Sequence, residues 1–275
     1  MKKHLPTIIL ILVFLTGLSL LLYPSFSDYW NSLHQSQAVA YYAGAVADID
    51  DETYEALWLA AEDYNAWLFE SDHGLGLSED ELEEYESLLA LSATGVMAYI
   101  EIPKINCTLP IYHGTDEAAL QNGVGHLEGS SLPVGGESTH CVLSGHRGLP
   151  SAKLFSHLDQ LVEGDLFMIR TLDETLIYEV DQIRIVEPNE LAELMITEGQ
   201  DYCTLVTCTP YGVNSHRLLV RGYRVANVED STDVRVTADA MQIEAVVAAP
   251  VVAVPLLLLL LIGLLVHTRK RKDRR

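Results

Sequence analysis

Residues 204–222 read TLVTCTPYGVNSHRLLVRG. Two short apolar runs, TLVTC and HRLLVRG, flank a stretch containing Pro210, Gly212 and Asn214, the residues that punctuate the chain between β-strands. The first run ends on Cys208 with a threonine on either side, and Arg217 follows nine residues later inside the second run. A cysteine needed only for packing has no use for that framing. At a strand end, a rigid scaffold can hold a side chain at a cleft. The stretch therefore sets two expectations, a β fold and a chemically active thiol.

The same texture extends on both sides. GVMAYIEIPKINCTLPIYHG, THCVLSGHRG, GDLFMIRT, TLIYEVDQIRIVEP, YCTLVTCTP and RLLVRGYRV are short apolar or alternating runs broken by Gly, Pro and Asn. At least six or seven strands at this spacing predict a mainly β sandwich or barrel over residues 94–226. Residues 28–93 read differently. DIDDETYEALWLAAEDYNAWLF carries early acids and apolar residues at three-to-four spacing, the pattern of an amphipathic helix. SEDELEEYESLLAL opens with Ser78 and Glu81 at capping-box spacing, and ESDHGLG between them reads as a glycine-broken loop. No internal repeat or low-complexity tract interrupts this plan.

Two apolar segments bracket it. Residues 5–22 follow Lys2 and Lys3, and residues 245–266 precede the basic tail HTRKRKDRR, residues 267–275. Each is long enough to span a bilayer, and proline in the second (Pro250, Pro255) is tolerated in such helices. Basic flanks predict both termini in the cytoplasm and everything between them outside the cell. The alternative for the first segment is a cleaved signal peptide. Ala38-Val39-Ala40 resembles a cleavage site but lies sixteen residues beyond the apolar run, so an uncleaved anchor over residues 1–27 is expected. Residues 227–244 read as a polar stalk.

The whole chain carries a formal charge of −22; without the basic termini, nine basic side chains face 38 acidic ones. Such a surface repels backbone phosphates and argues against a nucleic-acid partner.

A thiol attacks carbonyls as thiolate, so a catalytic cysteine needs an imidazole and positive charge nearby. His146, in VLSGHRGLP, follows an apolar run at a turn, as Cys208 does. Arg217 stays protonated and cannot serve as a base, but it can bind a carbonyl oxygen and stabilise the oxyanion formed on attack. Arg221, four residues on, falls on the same strand face by alternation and competes for that role. The three types cover nucleophile, acid/base and electrostatic stabiliser.

From about residue 94 to 224 the sequence resembles a sortase, and within that family the pilus-building class C enzymes. TLVTC with TPYGVNSHRLLVRG resembles the family's nucleophile signature, and LSGHRGLPSAKLF its histidine signature; AYIEIPKI, LPIYHGT and GVGHLEGSSLPVGG also match. The resemblance implies a sortase-type β-barrel, Cys208 as nucleophile, His146 as general acid/base, and Arg217 rather than Arg221 as stabiliser. It implies cleavage of an LPXTG-type sorting signal between Thr and Gly through a thioester, then transfer to a lysine of the next pilin. The partners would be pilins or surface proteins and the lipid bilayer, and no cofactor is called for. Within this reading, two alternatives are a sortase that anchors single proteins to the cell wall and a thiol hydrolase. Outside it stands a non-catalytic membrane-bound pilus scaffold.

The resemblance also implies a helical N-terminal region with a lid over the cleft, pinned in that class by an Asp-Pro-aromatic motif. This chain has no proline between Pro24 and Pro103, so the motif is absent. Asp72, His73 and Trp67 are the candidates for a substitute plug, and the expectation is a loosely held lid. Cys141 and Cys203 each stand five residues before a proposed catalytic residue. In the family's barrel, parallel neighbouring strands would set them side by side, and the expectation is two buried thiols, with Cys107 also in the core. No Cys-x-x-Cys pair is present, so no metal site is expected. His113, His126, His140, His157 and His216 lack ligand spacing and are expected to be structural or surface residues.

Overall fold

The computed structural model describes residues 5–71, 74–91, 95–226, 253–255, 257 and 261–262. The chain divides into two compact units, Met1–Trp30 with Thr237–Arg275, and Asn31–Val236. Helix α1, Leu5–Ala47, carries the N-terminal apolar segment with Pro24 inside it. From Thr7 it is long and apolar enough to cross a membrane, and among the described residues it is the one helix that meets that test. The expected second span is therefore not established. The stalk, the basic tail and most of residues 245–266 lie outside the described residues.

In the second unit, α2 (Asp51–Ser71) buries Ala61, Tyr64, Asn65 and Leu68, the apolar stripe read from the sequence plus one amide. That amide is used in both directions. Asn65 Nδ2 donates to Leu132 O at 3.1 Å, and Leu132 N donates to Asn65 Oδ1 at 2.7 Å. α3 (Glu79–Ser87) starts with the expected reciprocal capping box between Ser78 and Glu81. Its one buried residue, Tyr85, stacks on His126 and shares a 2.8 Å hydrogen bond with His126 Nδ1.

The remainder is a closed barrel of eight strands. In chain order these are β1 (Val96–Ile102), β2 (Cys107–His113), β3 (Val124–His126), β4 (Thr139–Ser144), β5 (Leu166–Thr171), β6 (Glu174–Val186), β7 (Asp201–Thr209) and β8 (His216–Val225). A six-residue helix, α4 (Glu117–Asn122), connects β2 to β3. Around the barrel the order is β1-β2-β3-β4-β7-β8-β6-β5. The β2–β3 and β4–β7 pairs are parallel. Closure leaves no exposed sheet edge to manage.

Strand β3 escaped the sequence reading because three residues, one of them glycine, carry no periodicity. Gly125 is required there, since a Cβ would lie 2.3 Å from Gly114 O.

Alternation then sorts the side chains. Cys203 and Leu205 of β7, Cys141 and Leu143 of β4, and Leu218 and Val220 of β8 belong to the main core with Phe167 and Tyr178. Each large apolar side chain buried there contributes roughly 1.5–3 kcal/mol. The residues between them point the other way. Val142, Val206 and Leu219 form a second apolar cluster with Val186, Leu194, Leu127 and Leu75. The barrel thus has an apolar patch on its outer face, across β4, β7, β8 and the end of β6.

Candidate active site

Cys208 and Arg217 are direct cross-strand partners in the antiparallel β7–β8 ladder. Partners of that kind project from the same face. Arg217 is also the register partner of Val186 on β6. On the other side of β7, the parallel ladder pairs Ser144 with Val206. It runs on through Gly145 N to Val206 O at 3.0 Å and Thr207 Oγ1 to Gly145 O at 2.7 Å. β4 ends at Ser144, and His146 lies two residues beyond the Ser144–Val206 pair in the turn that follows, as Cys208 lies two residues beyond it on β7. The row Cys208, Arg217, Val186 therefore crosses three neighbouring strands, which lie about 4.8 Å apart in a sheet, and His146, in the turn that follows β4, extends the line of that strand toward the Cys208 end. The row sits at the rim of the outer apolar patch.

The turn that carries His146 is fixed from several sides. Gly145 lies under the Phe155 ring, where a Cβ would approach Cδ2 to 2.6 Å. Phe155 N donates to His146 O at 3.1 Å. Arg147 ties this turn to the end of the cysteine strand. Its Nη2 pairs with Asp159 at 2.5 Å, its Nη1 reaches Thr209 Oγ1 at 3.3 Å, and its guanidinium stands 6.0 Å from the Tyr211 ring. The sequence reading passed over Arg147, although its adjacency to His146 was the available signal.

The two arginines separate by their partners. Arg221 is held by Asp181 through two bonds of 3.1 and 2.7 Å. Its guanidinium lies 4.1 Å from the Tyr202 ring centre. The Asp181 carboxylate raises its pKa further, so its charge is engaged. Its register partner is Thr204, four residues from Cys208 along β7 and so about 13 Å away. Arg217 donates, among the described residues, to the carbonyls of Asn214 and His216, at 3.4 and 3.2 Å. Among the described residues no carboxylate pairs with it, and its charge is open to a substrate.

The other cysteines lie apart from this row. Cys141 and Cys203 are direct partners in the parallel β4–β7 register, both buried and both free thiols. Burial pushes the Cys203 thiol well up and takes the Cys107 thiol to about 12. His140 is also structural. Its Nδ1 meets Met195 O at 2.9 Å and its Nε2 meets Thr204 Oγ1 at 2.7 Å. Burial lowers its pKa to about 4, so the ring is neutral. A carbonyl can only accept, so Nδ1 donates and the Thr204 hydroxyl serves Nε2. Among the described residues, no cluster of His, Cys, Asp and Glu could hold a metal ion.

Of the plug candidates, Asp72 and His73 lie outside the described residues. Trp67 packs against the main core beside Tyr64, with ring centres 5.7 Å apart. The loop residue that reaches the outer patch is Leu75. Its backbone presses on Gly129, where a Cβ would lie 2.8 Å from Leu75 C, and Gly129 has φ +79°. Leu75 lies in the glycine-broken loop ESDHGLG, but nothing in sequence spacing distinguishes it from Leu77. A cleft about 320 Å³ in volume opens beside it, lined in part by Phe69, Ser130, His140 and Met195.

The sequence matches the sortase domain family over residues 100–225. Among solved structures it is similar to sortase C1 from Streptococcus agalactiae, with 53% identity, TM-score 0.67, and coverage of 70% of this chain and 99% of that one. It is likewise similar to Clostridium perfringens sortase C, solved with the C-terminal cell wall sorting motif, at 43% identity and TM-score 0.62, covering 70% and 100%. Sortase D of Bacillus subtilis (strain 168) is 33% identical over 136 residues; the match takes in 48% of this chain and 64% of that protein.

Proposed function

The chain belongs to the sortase family, and we propose that it works as a class C cysteine transpeptidase that joins pilin subunits outside the cell. The Cys208 thiolate attacks the Thr–Gly carbonyl of an LPXTG-type sorting signal. Arg217 holds the oxyanion, and His146 protonates the leaving amine, which leaves a thioester on the enzyme. A lysine amine of the next pilin then displaces the thiol, with His146 taking up its proton.

What supports this reading is the direct β7–β8 pairing of Cys208 with Arg217, with the His146 turn following directly on β4, the neighbour of β7 on its other side. Sheet spacing sets the nucleophile against the oxyanion partner, and the turn after β4 carries the proton donor. The apolar patch supports a peptide substrate. Val206 lies two residues before Cys208 on the same face, about 6.6 Å away. A leucine a few residues ahead of the scissile bond would find cover there. Helix α1 suits an N-terminal anchor, and basic residues flanking both apolar segments suit an extracellular catalytic unit with both termini inside.

Full-length protein in detergent, incubated with an LPXTG-type peptide, should gain the mass of the peptide up to its threonine, carried on Cys208. Cys208→Ala should gain none. An adduct that only water resolves would favour the hydrolase. One that turns over with cell-wall amines but not lysine peptides would favour anchoring of single proteins. No adduct under any condition would leave the scaffold reading.

A further inference from the structure

Glu117 is the first residue of α4. Gln121 Nε2 donates to its Oε1 at 2.6 Å, and its Oε2 stands 3.9 Å from His146 Nε2. That nitrogen is buried and has no hydrogen-bond partner among the described residues. Glu117 itself is 72% exposed. The side chains of α4, the turn after β4, β7 and β8 therefore read in order carboxylate, imidazole, thiol, guanidinium.

This order has a polarity. The guanidinium end suits the negative oxygen of a tetrahedral intermediate. The nucleophile that resolves the thioester must arrive beside the imidazole that takes its proton. A carboxylate held at that end, and open to solvent, favours a nucleophile that arrives as a cation. Water and neutral amines gain nothing from it. We propose that Glu117 is the acceptor-binding residue, receiving the lysine ammonium and presenting it to His146 and the Cys208 thioester. The inference rests on the transpeptidase reading and adds to it the residue that receives the second substrate.

The step balances. The nitrogen–carbonyl bond forms as the carbonyl–sulfur bond breaks. Of the ammonium's three protons, one stays on the new amide, one passes through the His146 imidazole to the departing sulfur of Cys208, and one goes to solvent.

The test compares two acceptors on the same acyl-enzyme, formed by the full chain from an LPXTG-type peptide. One acceptor is an Nα-acetyl-lysine amide, cationic at neutral pH, and the other is hydroxylamine, which is not. In Glu117→Gln, kcat/KM for the lysine acceptor should fall roughly five- to tenfold, while the hydroxylamine value stays within about twofold of the parent. The control is Glu187→Gln. Glu187 is equally exposed but pairs with His216 at 3.5 Å instead, and its substitution should leave the lysine preference intact. Added salt should erode the parent's preference for lysine, since an exposed charge pair is screened.

A parallel fall with both acceptors would overturn the proposal and make Glu117 a support for His146. Unchanged lysine kinetics would overturn it as well. A parent thioester that hydroxylamine consumes and lysine never does would refute this inference alone. Failure to form any thioester would remove the transpeptidase reading and this inference with it.

Discussion

Leu75 is the residue by which the loop before α3 touches the outer apolar patch, and its substitution should change how readily Cys208 is reached. The side chain is half-buried against the cluster of Val142, Val186, Leu194 and Leu219. Full burial of a leucine contributes roughly 1.5–3 kcal/mol, so Leu75→Ala should cost the closed loop about 1 kcal/mol. That corresponds to about a fivefold rise in the open population. Leu75→Asp would also set a carboxylate against apolar side chains, adding about 1–3 kcal/mol, and should leave the loop largely open.

The assay is the second-order rate of Cys208 modification by a small methanethiosulfonate, read by intact mass. Cys208→Ala supplies the background from the remaining thiols. The expected order is parent slowest, Leu75→Ala about fivefold faster, and Leu75→Asp faster still. Thermal midpoints should stay close to the parent's, because the patch lies outside the barrel core. If both variants react within twofold of the parent while folding normally, Leu75 does not govern access to Cys208. If Cys203 becomes labelled as well, the gain reflects general loosening, which refutes that role equally.

Arg217→Ala should lower the single-turnover rate of thioester formation by about 10²–10³, the scale of losing one oxyanion donor, with little change in unfolding midpoint. Arg147→Ala should slow the same step about tenfold by loosening the His146 turn, and Asp159→Asn should reproduce part of that loss. Acid should destabilise the fold through His140. Its folded pKa of about 4 lies below the unfolded value near 6.5. The stability it contributes is therefore complete above pH 6.5, is lost as pH falls toward 4, and levels off below. The loss amounts to roughly 3 kcal/mol. Denaturant titrations at several pH values should show a shallower acid dependence in His140→Gln than in the parent, and equal slopes would refute the assignment.

How far the sequence could be read depended on whether a residue's partner lay within the range of a local pattern. The long strands were legible because alternation over β6, β7 and β8 is a property of consecutive residues, and the Ser78–Glu81 cap spans three. The pairing of Cys141 with Cys203 was legible only through the family resemblance, since no local rule makes β4 and β7 neighbours. The choice between Arg217 and Arg221 was not legible from periodicity, which puts both on one face. What distinguishes them is Asp181, forty residues from Arg221 in the chain. Glu117 and Leu75 were missed for the same reason. Each acquires a role from a residue beyond its own helix or loop, His146 for one and the outer patch for the other.

The two faces of the sheet divide the work between folding and chemistry. On β7, Cys203 and Leu205 turn inward to the core, while Val206 turns out to the apolar patch and Cys208 follows it by alternation. The inward set carries the stability, and the outward set can be polar, charged and open without costing it. An active row on the outer face has a second consequence: Cys208 and Arg217 sit on paired strands at one level, so a substitution that leaves the ladder intact leaves their spacing intact. Loss of activity at Cys208 or Arg217 should therefore separate from loss of fold, as it should at Glu117, whose side chain is exposed. Changes at Gly145 should not separate in this way, because the Phe155 ring fills the space a side chain would need and His146 is the next residue. Gly145→Ala should accordingly lower thioester formation and the unfolding midpoint together, and a variant that lost neither would show that the His146 turn is set by the Phe155 N–His146 O bond and by the bonds of Arg147 to Asp159 and Thr209 alone.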